Sequence, residues 1–127
     1  NDVAGCATPR NIATTGIDKR PAEVRVTSTT SAATVTPNSG TTDLVDITAQ
    51  AAGLTLAAPT GTPVNGQPLT IRILDNGTGR AITWNAIYRA IGTSLPTTTT
   101  ANKLLVIRFV YNTNATKWDE VQVSLQT

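Results

Sequence analysis

The chain has 127 residues, the size of one domain, and its ten basic and eight acidic residues leave a net charge of +2. It contains no histidine, which excludes Ser-His-Asp triads, Cys-His pairs and histidine-ligated metal sites. The basic residues form no run and no apolar stretch approaches 18 residues, so we expect neither a nucleic-acid partner nor a membrane partner.

Threonine is the most informative residue type, because it fills 25 positions while charged residues make up only 14% of the chain. A branched Cβ favours extended chain, so this composition indicates strands. Removing water from a polar surface with little charge also costs little free energy. Such a surface therefore suits contacts between subunits. The alternative is a solvent-exposed β surface without a partner.

Residues 1–21 show neither helical nor strand periodicity. We predict an extended N-terminal arm over these residues, followed by a β-sandwich domain over residues 22–127. The arm is either a loose terminus or a segment that becomes ordered on a neighbouring molecule. In the second case the candidate anchoring residues are Asn1, Cys6, Arg10, Asn11, Lys19 and Arg20. Cys6 is the only cysteine, so no disulfide can form within the chain.

From residue 23 onward, short stretches of alternating apolar and polar residues are separated by turn residues. They predict strands at residues 23–27, 33–37, 43–49, 54–57, 69–74, 80–84, 86–91, 103–111 and 118–125. Residues 37–40 predict a turn, whereas the Asn-Gly pair within residues 75–79 and the polar loop 112–117 each predict a β-hairpin. About eight or nine short strands without a convincing helix indicate an all-β fold, either an antiparallel β-sandwich or a jelly-roll-like arrangement.

Residues 103–111 form the most apolar stretch of the chain. One face of the predicted strand carries Leu105, Ile107, Phe109 and Tyr111. Because the opposite face is also largely apolar, we expect a central strand with the core on one side and a neighbouring subunit on the other. The candidate subunit interface is this second face, formed by Leu104, Val106, Arg108 and Val110.

The last predicted strand covers residues 118–125. Its alternation predicts that one set of side chains faces the core, namely Val121, Val123 and Leu125. The intervening side chains are expected to face solvent, and these are Glu120, Gln122 and Ser124.

The remaining candidates for catalysis are carboxylates, since a glycosidase opposes two of them across a bond: Asp43, Asp46, Asp75, Asp119 and Glu120. Asp119 and Glu120 are adjacent on a strand and point to opposite faces, and Asp43 and Asp46 likewise diverge. Asp75 lies in a turn, where aspartate commonly binds its own backbone. That turn resembles part of a calcium loop but lacks the later glutamate. We therefore predict no catalytic, cofactor or metal site, and a protein that is not an enzyme.

Three segments carry a resemblance to known proteins: PTGTPVNGQ at 59–67, DNGTGRAITW at 75–84 and NTNATKWDEV at 112–121. They resemble small β domains of tailed-bacteriophage virion proteins, which occur in head-decoration, head-fibre and tail-fibre proteins. The resemblance covers roughly residues 21–127 and does not extend to the arm.

The resemblance implies a compact, often trimeric β module without a catalytic site. The short chain favours a capsid decoration (cement) or head-fibre protein. Such a protein would bind the major capsid protein or other virion proteins as a homotrimer, with residues 1–21 laid on the shell. The alternative is a tail-fibre tip domain that binds a receptor or glycan on the host surface. In both cases the expected location is the virion.

Overall fold

A computed structural model describes residues 23–127, which form nine β-strands and no helix. In chain order the strands are β1 (Val26–Thr29), β2 (Thr34–Val35), β3 (Leu44–Gln50), β4 (Leu54–Leu56), β5 (Pro68–Asp75), β6 (Ile82–Trp84), β7 (Tyr88–Ala90), β8 (Leu104–Asn112) and β9 (Lys117–Leu125). The predicted all-β class and number of strands are confirmed. The arm expected at residues 1–21 lies outside the described residues, together with its candidate anchoring side chains.

The strands form two sheets, one large and one small, with the core between them. The large sheet has the order β1-β3-β5-β8-β9-β7, and the small sheet has the order β2-β4-β6. From β1 to β6 the chain passes back and forth between the sheets. Each of the strands β3 to β6 therefore lies parallel to the strand two places earlier in the chain. The architecture is sandwich-like, as predicted.

Strand direction differs from the expected antiparallel arrangement. Only β5–β8 and β8–β9 are antiparallel, whereas the other five strand pairs within residues 23–127 are parallel. The hairpin predicted at residues 75–79 is wrong, because this turn carries the chain from β5 in the large sheet to β6 in the small sheet. Gly77 supplies the turn with a φ of 124°. The hairpin predicted at residues 112–117 is confirmed and joins β8 to β9.

The core is built from side chains of the strands β2 to β9 that point into the space between the sheets. Five of its aliphatic side chains are completely buried, namely Leu56, Ile47, Ile71, Ile73 and Ile107. Burying one such side chain stabilises a fold by about 1.5–3 kcal/mol. Trp84, Tyr88 and Phe109 pack ring against ring, with centroids 5.0 to 5.5 Å apart. Strand β8 lies between β5 and β9, so its predicted central position is confirmed.

Strand β9 departs from the predicted alternation at a β-bulge. Phe109 of β8 lies opposite Glu120, and Arg108 lies opposite Gln122, so Val121 is an extra residue without a partner. Val121 is therefore 53% exposed and Glu120 only 1% exposed, which reverses the prediction for both. Val123 is partly buried against the core as predicted.

Candidate functional site

We define the outer face as the face of the large sheet that points away from the small sheet. All four residues of the predicted subunit interface lie there, next to one another on β8. Leu104, Val106 and Val110 are half-buried, and Arg108 is exposed. The structure therefore brings these four side chains together on one surface, as the alternation of β8 requires.

Strand register arranges the outer face in rows that run across the sheet. The central row consists of Val26, Leu44, Thr70, Arg108 and Gln122. The row beside it consists of Ser28, Asp46, Arg72, Val106 and Ser124. A third row consists of Pro68, Val110, Asp119 and Arg89. Each row mixes apolar with polar or charged side chains, so no row is continuously apolar.

Two of the arginines on the outer face are bound by an aspartate on the neighbouring parallel strand. Arg72 reaches Asp46 through Nε at 3.0 Å and through Nη2 at 3.0 Å. Arg89 reaches Asp119 through Nε at 2.7 Å and through Nη2 at 3.0 Å. The hydrogen bonds from these guanidinium groups hold the pKa of both carboxyls below the usual range. In each of these two ion pairs, the charges of the arginine and the aspartate are therefore neutralised within the sheet.

A third pair of this kind fixes the edge of the large sheet. Arg25 binds both carboxylate oxygens of Asp43, at 3.0 Å through Nε and at 2.8 Å through Nη2. Its Nη1 also donates to the Gly40 carbonyl at 2.6 Å. Arg25 thereby ties the start of β1 to the turn that precedes β3.

Arg108 differs from the other arginines of the outer face. Within residues 23–127 its guanidinium forms no ion pair and donates no hydrogen bond. Its cross-strand neighbours are Thr70 on β5 and Gln122 on β9, and neither carries a charge. The centre of the outer face therefore presents one exposed positive charge that no carboxylate of residues 23–127 compensates.

A shallow depression of about 380 Å³ opens beside Val110. Its apolar lining includes Ile91 and Val121, which are 60% and 53% exposed. Its polar lining includes Asn65, Asn112 and Asp119. The depression is large enough for one or two side chains of another molecule and is lined by both apolar and hydrogen-bonding groups.

The two most buried carboxylates hold loops in place. Asp75 accepts hydrogen bonds from the Thr99 hydroxyl at 2.6 Å and from the Gly77 amide at 2.8 Å. Burial alone would raise the pKa of Asp75, but these hydrogen bonds lower it. Glu120 Oε1 accepts from three successive amides, those of Ile91, Gly92 and Thr93, at 3.0 to 3.3 Å.

All five carboxylates that the sequence offers for catalysis are thus engaged. Three bind arginine, and two bind backbone or hydroxyl groups in the protein interior. Within residues 23–127 no three potential metal-ligating side chains of the His, Cys, Asp and Glu types cluster together. This arrangement suits the stabilisation of strands and loops.

Sequence reasoning missed the pairs Arg72–Asp46 and Arg89–Asp119. The available signal was weak: each residue occupies a predicted strand, and nothing in the alternation tells which strands become neighbours. The backbone hydrogen bond of Asp75 within its turn is confirmed by the Gly77 amide, but the burial of Asp75 and Glu120 was not predicted, because a crossover turn and a bulge decide their environment. The position of Arg108 among the apolar residues of the second face of β8 was predicted from the alternation, whereas its lack of a bound aspartate within residues 23–127 was not.

No helix in the part of the chain that the structure describes is long and apolar enough to cross a membrane. No protein-family model, no curated protein and no solved structure matches the chain.

Proposed function

We propose that this chain is a non-enzymatic structural protein of a bacteriophage virion, and that the outer face of the large sheet packs against a neighbouring protein of the particle. The observation that carries the proposal is the outer face of β8, where Leu104, Val106 and Val110 are half-buried around an exposed Arg108. The resemblance of residues 59–67, 75–84 and 112–121 to virion β domains supports the location.

The pairing of two of the outer-face arginines reduces the cost of burying this face in a contact. An unpaired charge that loses water costs several kcal/mol, whereas a charge already bound by its counter-ion keeps that partner when a second protein covers it. Arg72 and Arg89 are each bound in this way by a carboxylate. Surfaces that become interface cores are depleted of free charge in the same manner.

Within the virion, a capsid decoration or head-fibre role fits a small module that presents one broad contact face. The protein would bind the shell as an oligomer, a homotrimer by the resemblance. Decoration requires the contact to stabilise the particle, so its loss should lower the temperature at which the shell melts.

The test uses virus particles from which the protein has been removed. Purified wild-type chain should bind them and raise their melting temperature. The substitutions V106S and V110S remove apolar area from the outer face without adding a charge, and each should weaken binding about tenfold. T55S is the control, because Thr55 is exposed on β4 of the small sheet, which contributes nothing to the outer face. Equal binding by all three variants would refute the proposed contact face.

A tail-fibre tip that binds a host receptor or glycan is the second candidate. The depression beside Val110 favours it, because Asn65, Asn112 and Asp119 line it together with apolar side chains, as in small-ligand sites. A tip domain should retain host cells in a pull-down, and N112A should reduce that retention. Retention of cells without any binding to particles would replace the decoration role with this one.

A further inference from the structure

We propose that Arg108 selects an acidic partner, so that the outer face docks a surface of a different protein that presents a carboxylate flanked by apolar side chains. The inference rests on the proposed function only for the contact face. It adds the charge of the partner and assigns the face to a protein other than a second copy of this chain.

The outer face carries one arginine that the described residues leave without a counter-ion. Of its arginines, Arg72 and Arg89 are satisfied by aspartates, whereas Arg108 forms no ion pair within residues 23–127. If an apolar surface covered Arg108, its charge would lose water without compensation, which costs several kcal/mol. A partner that covers this face therefore has to supply a counter-ion.

Residues 23–127 of a second copy of this chain would offer almost no free carboxylate. Among the acidic residues that the structure describes, Asp43, Asp46 and Asp119 bind arginine. Asp75 and Glu120 are 2% and 1% exposed, so they cannot reach another molecule. This leaves a single exposed acidic side chain in the described part, that of Glu23 at its first position.

The symmetry of a contact between two copies also disfavours self-association through the outer face. A two-fold contact between two outer faces centred on β8 would bring Arg108 of one copy towards Arg108 of the other. Like charges in direct opposition destabilise a contact. The outer face is therefore suited to a different protein, and self-association of the chain would use another surface.

The local geometry fits a carboxylate with an apolar neighbour. The guanidinium is planar and presents five N–H donors, which match the two oxygens of a carboxylate. Val106 and Val110 lie two positions before and after Arg108 on the same face, and the depression opens beside Val110. An acidic residue over Arg108 would thus place an adjacent apolar side chain of the partner at or near the depression.

The test needs only the isolated chain and two synthetic peptides. The probes are acetyl-Val-Glu-Val-amide and acetyl-Val-Gln-Val-amide, titrated to millimolar concentration while amide chemical shifts are followed by NMR. The Glu peptide should shift the amides of Thr70, Arg108 and Gln122, and its affinity should fall with added salt. The Gln peptide should bind more weakly.

The variants isolate the charge of residue 108. R108Q should weaken binding of the Glu peptide roughly fivefold, as expected for loss of an exposed ion pair. R108K should retain part of the affinity for this peptide. K103Q is the control, because it removes one positive charge five residues earlier in the chain, roughly 17 Å along the strand direction. No shift with the Glu peptide, equal affinity for both peptides, or unchanged affinity in R108Q would each overturn the proposal.

Self-association is the remaining outcome. If sedimentation shows that the chain dimerises, and the amides of Thr70 and Gln122 broaden with protein concentration, the outer face binds a copy of itself and the acidic-partner proposal fails. Failure of the peptide test would leave the particle-binding test of V106S and V110S unaffected. Failure of the acidic-partner proposal can therefore be distinguished from failure of the proposed contact face.

Discussion

Asp119 accepts hydrogen bonds from Arg89 at 2.7 and 3.0 Å across the parallel strands β7 and β9. The side-chain amide of Asn112 donates a third hydrogen bond to Asp119 at 3.0 Å. The side chain of Asp119 is only 8% exposed, whereas that of Arg89 is 43% exposed. The carboxylate is therefore the buried member of the pair and depends on its donors. It joins the short edge strand β7 to the rest of the large sheet.

We expect D119N to lower the free energy of unfolding by about 1–3 kcal/mol, because a buried carboxylate loses its charge-assisted hydrogen bonds. Urea unfolding followed by tryptophan fluorescence measures the change. D46N is the matched comparison. The Asp46 side chain is 21% exposed, so this variant should lower the free energy of unfolding by less than D119N does. A D119N variant as stable as wild type would show that the pair does not hold β7.

The pH dependence of stability follows from four carboxylates with a lowered pKa, of which Asp75 is held by the Thr99 hydroxyl and by backbone amides and the other three by arginines. Asp43, Asp46 and Asp119 each have a lowered pKa, in every case mainly through hydrogen bonds from an arginine. The unfolded chain, with an aspartate pKa of about 3.9, therefore binds more protons than the folded chain as the pH falls. The stability that these groups contribute is complete well above that pKa and is lost as acid titrates the folded carboxylates.

We therefore expect a flat stability profile from about pH 8 to pH 5, because the chain has no histidine to titrate there, and a steep fall below about pH 4. Urea midpoints measured at unit steps of pH check this. A marked fall between pH 7 and pH 5 would contradict it.

The bulge in β9 makes two neighbouring valines respond differently to the same change. V121E should alter the free energy of unfolding by less than about 0.5 kcal/mol, because Val121 is an exposed extra residue. V123E should lower it by about 1–3 kcal/mol, because Val123 packs against the core. Thermal unfolding of both variants compares them. A similarly large loss of stability in both variants would mean that β9 is regular, because alternation without a bulge would turn both valines to the core.

The hydrogen bonds of Glu120 should be visible in amide exchange. E120A removes the acceptor of the amides of Ile91, Gly92 and Thr93, and exchange at these positions should accelerate about fivefold or more. V121A is the control, since it shortens the adjacent side chain and leaves the acceptor in place. Equal exchange in E120A and wild type would show that the loop after β7 is held by other contacts.

Local patterns predicted most of the strands. Both faces of the strand predicted at residues 103–111 are largely apolar, which correctly predicted that β8 lies in the middle of a sheet. The alternation of its side chains predicted one shared surface for Leu104, Val106, Arg108 and Val110. These inferences succeed because side-chain direction along a strand depends only on the backbone of that strand.

Partners across the sheet were not predictable in the same way. The Asn-Gly turn at residues 75–79 bends the chain as expected, but it crosses to the small sheet instead of closing a hairpin. Arg72 and Asp46 meet only because β3 and β5 are parallel neighbours, with β4 in the other sheet. No spacing along the chain encodes that relationship.

The sequence by itself determined the all-β class, the strand positions, the lack of histidine chemistry and the apolar second face of β8. Only the tertiary structure decided the parallel order of the strands, the bulge at Val121, and the fact that Arg108 alone among the outer-face arginines lacks a bound aspartate within residues 23–127. Alternation and turn chemistry act over a few residues. Strand pairing minimises the free energy of the whole sandwich at once, through contacts between residues distant in the chain.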